Sequence, residues 1–174
     1  MTQSGPSDQR DPAGLRFSHP VTLIVTWFGA GLIPKAPGTW GSLFALPFAV
    51  IIYYLAGSYG LVAAAALAFF AGWIASNIYL KAARQAGTEN EDPNEIVIDE
   101  VAGQWLVLAV VPVDPLLYGI GLLLFRFFDI VKPWPVNLID RRVKGGLGVM
   151  LDDIAAAIYA AGCLVLFQYF TGGS

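Results

Sequence analysis

The sequence predicts an all-α, multi-helical membrane protein of about four to five apolar helices, with an acidic site at the cytoplasmic side. Three observations predict it. Of 174 residues, 56% are hydrophobic and 13% charged, and the mean hydropathy is +0.62; a soluble domain is about 45–50% apolar and about 25% charged. No Lys, Arg, Asp or Glu occurs from Ala36 to Leu80, which is room for two membrane helices of about 20 residues each. Every Lys and Arg falls in the N-terminal arm, at Lys35, at Lys81 and Arg84, or between Arg126 and Lys144, and the positive-inside rule makes those parts cytoplasmic.

Residues 1–20 are polar and carry three prolines. They lack the basic start and apolar middle of a secretory signal, so they read as a disordered cytoplasmic arm. Residues 21–174 then form one helical domain, since the length allows a single compact unit. Val21 to Ile33 is too short to cross and is expected in the interface or re-entrant. The uncharged run from Ala36 to Leu80 divides at the turn Gly57-Ser58-Tyr59-Gly60. A polar stretch, Lys81 to Glu100, precedes the short apolar segments Val101 to Val111 and Leu116 to Phe128, which Pro112-Val113-Asp114-Pro115 separates. A basic loop from Lys132 to Lys144 leads into the last apolar run, Ile154 to Phe170. Trp40, Trp105 and Trp134 lie near the inferred boundary and read as interfacial anchors. His19, isolated in the arm, is assigned no role.

Every acidic residue but Asp114 falls on the cytoplasmic side, among them five that stand beside apolar runs. Ile98-Asp99-Glu100-Val101 and Leu151-Asp152-Asp153-Ile154 repeat one pattern, two acids at the entrance of an apolar helix. Capping explains one acid, because the helix N-terminus favours negative charge. It does not explain two acids twice over, since each charge in a membrane-embedded site costs about 2.5–3.5 kcal/mol on insertion scales. Asp129 stands just before Pro133 at a helix C-terminus, where the dipole disfavours an acid; its structural explanation is an ion pair with Arg126 or Lys132. Asp99, Glu100, Asp129, Asp152 and Asp153 are therefore the candidate metal ligands and catalytic acids. Carboxylate oxygens without His or Cys describe a hard-cation site, Mg²⁺ before Ca²⁺ or Zn²⁺.

A Gly/Pro loop, Gly29 to Ser42, runs into the first long apolar helix. Gly38, Thr39 and Ser42, with the charge of Lys35, are candidates for a phosphate cradle at a helix start; a re-entrant turn capped by Thr39 or Ser42 is the structural alternative. Arg126, Lys132 and Arg141 are further candidates for phosphate or for structural pairing. Gly145-Gly146-Leu147-Gly148 is a second loop able to bring amides near Asp152.

The net charge of −3 excludes a basic nucleic-acid binder. The single cysteine, Cys163, rules out an internal disulfide and stands in apolar sequence, unlike a reactive thiol. One histidine cannot run a histidine-based phosphatase. Carboxylates for a metal, with amides and bases for phosphate at the headgroup level, suggest chemistry on a phosphorylated lipid. The alternative is a divalent-cation transporter or channel lined by the same acids, which the uncharged interior of the first two apolar runs disfavours. A headgroup transferase would carry an Asp-Gly-x-x-Ala-Arg signature, which is missing.

Four motifs in order resemble the phosphatidylglycerophosphatase A family: Gly31-Leu32-x-Pro34-x-Ala36-Pro37-Gly38-Thr39-x-Gly41-Ser42; Ile98-Asp99-Glu100; Phe125-Arg126-x-x-Asp129-x-x-Lys132-Pro133-Trp134-Pro135; and Asp140-Arg141-x-x-x-Gly145-Gly146-x-Gly148-x-Met150-x-Asp152-Asp153. The resemblance runs from about Phe28 to Gly162. It implies an all-helical, Mg²⁺-dependent enzyme of the bacterial inner membrane that converts phosphatidylglycerophosphate to phosphatidylglycerol, its site facing the cytoplasm. Ala156-Ala157 departs from the family's usual Ala-Gly after the acidic pair and removes no chemical group. The expected partners are the lipid substrate and the bilayer, and a homo-oligomer is compatible with the sequence.

Overall fold

The computed structural model describes residues 11–88 and 93–172, and all regular structure among them is helical. The order is α1 (Pro20–Val25), a 3-10 turn (Ala30–Leu32), α2 (Pro37–Gln85), α3 (Ile98–Leu108), α4 (Pro115–Val131), α5 (Val136–Arg142) and α6 (Gly146–Thr171).

Of the expected arm, residues 1–10 lie outside the described residues. Residues 11–19 are packed rather than loose: Asp11 is buried, its Oδ1 accepting from the Leu15 amide at 2.9 Å and its Oδ2 from the Thr22 hydroxyl at 2.6 Å. His19 has a role after all, because its Nδ1 accepts from the Val21 amide at 3.2 Å and caps α1, with Pro20 at the first helical position. The 21–33 segment is α1 and the 3-10 turn, and Val21, Thr22 and Val25 are buried.

α2 is two helices joined at Gly57, where φ 64° and ψ −162° suit a residue without Cβ. Its halves run antiparallel. Gly41 of the first lies against Val97 and Gly72 of the second against the adjacent Ile98. Trp27 meets Phe48 edge to face, with ring centroids 5.2 Å apart, and shares a groove with Ala64 and Ala68. The break falls at the first residue of the turn read from sequence.

α3 starts where the Val97 amide donates to the Val25 carbonyl at 2.8 Å and passes through the centre of the molecule. Trp105 is core, not an interfacial anchor: it is buried and its Nε1 donates to the Ala45 carbonyl at 2.9 Å. Asp114 caps α4, accepting from the Leu117 amide at 2.9 Å, and Pro115 follows it. α4 ends at Lys132, which adopts the left-handed region, and Pro133 after it cannot continue the helix. The basic loop contains a helix, α5, whose seven residues are too few to show a period. α6 packs on α2, α3, α4 and α5, and Phe125, Leu108, Met150 and Leu164 fill the space between them.

Among the described residues, α2 and α6 are long and apolar enough to cross a membrane, by length and composition. Their outer faces, like that of α4, are apolar: Leu55, Tyr59, Leu67, Leu123 and Tyr169 are all largely exposed, beyond what a soluble surface normally carries in one fold.

Candidate active site

The start of α3, the end of α4 and the second turn of α6 meet at one end of the bundle, around a cavity of about 170 Å³. All five sequence-predicted carboxylates line it, with Arg126, Lys132 and the Ala36-Pro37-Gly38 start of α2. Asp99 and Glu100 occupy the first turn of α3. Asp152 and Asp153 do not stand at a helix entrance as the pattern suggested; α6 begins at Gly146, so they lie well inside it and capping has no part in their placement. Both are buried, and so is Asp99.

The carboxylates divide into two sets. Asp99, Glu100 and Asp153 each offer an oxygen such that all three lie within 4.8 Å of one another. Asp129 and Asp152 are instead held by cations. Arg126 Nη1 lies 2.5 Å from Asp129 Oδ2 and 3.4 Å from Glu100 Oε1; Lys132 Nζ lies 2.6 Å from both Asp152 Oδ2 and Asp140 Oδ1. The Arg126 pair is one of the two structural alternatives open for Asp129. Lys132 reaches across to α5 and α6 because α4 has already turned out of helical geometry there.

Glu100 Oε2 and Asp153 Oδ2 are buried without a hydrogen-bond partner. Two acceptors in that state are costly unless a cation meets them. Burial pushes the Asp99 carboxyl well above its usual range, and the charge of Glu100 adds to the effect. Burial also raises Glu100, against the hydrogen bond from Asp99 and the charge of Arg126. At Lys132 burial works to lower the pKa, but the contacts to Asp140 and Asp152 outweigh it and the net shift is upward. Three converging carboxylates with orphaned oxygens, and neither His nor Cys among the lining residues, fit a hard divalent cation.

Gly38 is placed where a Cβ would run into Glu100 Oε1 and come within 2.9 Å of Arg126 Nη1, so this glycine lets the start of α2 close against the acids. The other phosphate-cradle candidates of the loop are not brought to the cavity. Lys35 and Thr39 are exposed and outside the lining. Ser42 is buried one turn further, its hydroxyl donating to the Gly38 carbonyl at 2.9 Å. Gly145-Gly146 packs on α2, with the Gly146 amide donating to Asn77 Oδ1 at 3.0 Å, and is not part of the acidic cavity's lining, although Gly145 and Gly148 line a neighbouring pocket beside Asp152.

Arg141 lines a second pocket of about 300 Å³ that shares Val149 and Asp152 with the first. Asp140, present in the fourth motif but given no role there, and Asn94 were not among the candidate site residues. Asp140 is linked to the site through Lys132, across a proline-broken segment with no period to reveal it. Asn94 lines the acidic cavity from the 93–97 loop and carries no sequence signal of its own.

Comparison with known proteins adds four matches. The phosphatidylglycerophosphatase A family model matches residues 23–168. Phosphatidylglycerophosphatase A of Haemophilus influenzae is 36% identical over 171 residues, covering 98% of this chain and 99% of its own; that of Escherichia coli is 37% identical over 162 residues, covering 91% and 87%. A Bacteroides thetaiotaomicron protein, provisionally named a phosphatidylinositol-3-phosphatase, is 36% identical over 157 residues, covering 86% and 94%. No solved structure matches the chain significantly.

Proposed function

The chain belongs to the phosphatidylglycerophosphatase A family, and on that premise we propose that it is a Mg²⁺-dependent lipid phosphatase, releasing phosphate from phosphatidylglycerophosphate to leave phosphatidylglycerol for phospholipid synthesis. The observation that carries this reading is the convergence of Asp99, Glu100 and Asp153 from two helices, with two orphaned oxygens among them. These three would hold the ion, which when bound neutralises phosphoryl oxygens and polarises the phosphorus.

The remaining lining residues have separable tasks. Arg126 and Lys132 bind the phosphomonoester oxygens, each already in the cavity and each held there by carboxylates. The amide end of α2 faces the same space and favours an anion. Asp129, fixed by Arg126, is the carboxylate available to take a proton from the attacking water. Water oxygen bonds to phosphorus, the bond to the glycerol oxygen breaks, and that oxygen leaves with a proton.

Arg126, Lys132, Arg141 and Lys144 stand at the acidic end of the molecule, and by the positive-inside rule this supports a site on the cytoplasmic side of the inner membrane, with α2 and α6 as its spans. A cation pathway would need acids along the membrane depth, whereas these five sit together at one end.

The test is phosphate release by the purified full-length protein in detergent, with phosphatidylglycerophosphate and Mg²⁺. Turnover should fall at least about 100-fold in Asp153→Asn, in line with losses at metal-supporting residues. Turnover near the wild-type rate in that variant, with the fold intact, removes the assignment. Because of the Bacteroides relative, phosphatidylinositol 3-phosphate belongs in the same assay.

A further inference from the structure

We propose that the second pocket, walled by Asp140, Arg141, Lys144, Gly148, Val149 and Asp152, is a subsite for the internal phosphodiester of the substrate headgroup, with Arg141 and Lys144 as its anion-binding residues. The proposal rests on the lipid-phosphatase reading above and extends it from the phosphate that is cleaved to the one that stays.

Size requires a second compartment. A cavity of about 150 Å³ accommodates one six-atom ring ligand. The acidic cavity, at about 170 Å³, therefore has room for a phosphoryl group and an ion, and is filled by them. A headgroup of the proposed class carries a polyol and a second phosphate beyond the scissile one. These must lie in whatever space adjoins the cavity, and the second pocket adjoins it directly through Val149 and Asp152.

Charge selects the same place. The apolar grooves flanking the second half of α2 are lined by side chains such as Val62, Phe69, Leu67 and Ile98 and offer a diester nothing. The second pocket offers two exposed cations, Arg141 and Lys144. Lys132 Nζ, 2.6 Å from an oxygen of each of its two acids, offsets one of their two charges. Counting Lys132, three cations stand against two carboxylates at this wall. Lys132 and Asp152 form the partition, so one ammonium sits between the two phosphate positions. The pocket thereby ties selection of a lipid bearing a phosphorylated polyol to the geometry of the catalytic cavity, and a lipid or metabolite with a lone phosphomonoester lacks the second hold.

Two measurements test this on the full-length protein in detergent. Glycerophosphoglycerol carries the diester and no monoester; calorimetric titration should detect its binding to the wild type, at least about tenfold weakened in the Arg141→Glu/Lys144→Glu variant, the loss of about 1.4 kcal/mol that a tenfold factor represents. The ratio of kcat/KM for phosphatidylglycerophosphate to that for sn-glycerol 3-phosphate should fall by about the same factor, through KM rather than kcat, and Arg141→Lys/Lys144→Arg should restore it. Equal binding of glycerophosphoglycerol by wild type and the charge-reversed variant, or no binding by either, overturns the subsite whether or not the lipid is hydrolysed. Failure of the wild type to hydrolyse phosphatidylglycerophosphate, with the binding difference intact, counts against the parent reading and leaves the subsite standing.

Discussion

At the residue scale the site is a problem of like charges held close. Asp99, Glu100 and Asp153 lie within 4.8 Å of one another, and burial raises the Asp99 and Glu100 carboxyls above their usual values of 3.8 and 4.5. A carboxyl whose pKa is raised by folding contributes stability that is complete below its unfolded value and is lost as pH rises through its folded value. The metal-free protein should therefore melt at a higher temperature at pH 5 than at pH 8. Adding Mg²⁺ should reverse the trend, since an ion bound only by the native state stabilises it by mass action, and by several degrees, at about 2–4 °C per kcal/mol for a chain of this size. In Asp153→Asn the metal-free melting temperature should equal or exceed that of the wild type, and the Mg²⁺ increment should vanish. An undiminished increment in that variant would place the ion elsewhere. The carboxylates themselves were legible as residues, because acids beside apolar runs have few innocent explanations. The Arg126 partner of Asp129 was legible too, three residues away on one helix; the converging trio and the Lys132 pairs with Asp140 and Asp152 were not, because those residues lie on different elements and share no sequence spacing.

At the element scale α3 and α4 position the chemistry, and α2 closes it. Phe125 is completely buried one residue before Arg126, its ring against Gly103 of α3, so truncation there loosens the helix that carries both Arg126 and Asp129. Phe125→Ala should cost about 3–5 kcal/mol, as buried aromatic truncations do, and should lower the melting temperature and activity together. Gly57→Ala offers a contrast. Its φ of 64° is unfavourable for a residue with Cβ, but nothing lies within 4 Å of the added atom and the break is remote from the acids. The expected cost is about 1 kcal/mol, read as a small fall in melting temperature with turnover per folded molecule retained. Turnover lost in proportion to stability in both variants would mean that the α2 hairpin, and not α4, sets the geometry. The turn at Gly57, the proline breaks and the Asp114 cap were readable because turn and cap chemistry is local. α5 and the true start of α6 were not, because a seven-residue helix shows no period and Gly145-Gly146 resembled a loop until α2 packed against it.

At the scale of the whole molecule, the chain separates an apolar body from one charged end. Leu55, Tyr59, Leu123 and Tyr169 face outward, more than 70% exposed, while the charged residues of the cavity and the second pocket gather at one end. The protein should stay with membranes through an alkaline carbonate wash and be released by detergent; recovery in the wash would show that α2 and α6 do not span. What the sequence determined by itself was composition, the uncharged stretch, the breaks between helices and an ordered set of acidic, basic and glycine motifs, all of which are local and survive without a partner. Only the tertiary structure decided which side chains meet. The start of α3 and the interior of α6 come together because Gly72, Gly103 and Gly38 permit close approach of helices and loop, and that contact brought three carboxylate oxygens within 4.8 Å of one another, tied two acids to Arg126 and Lys132, and left Lys35, Thr39 and Ser42 outside.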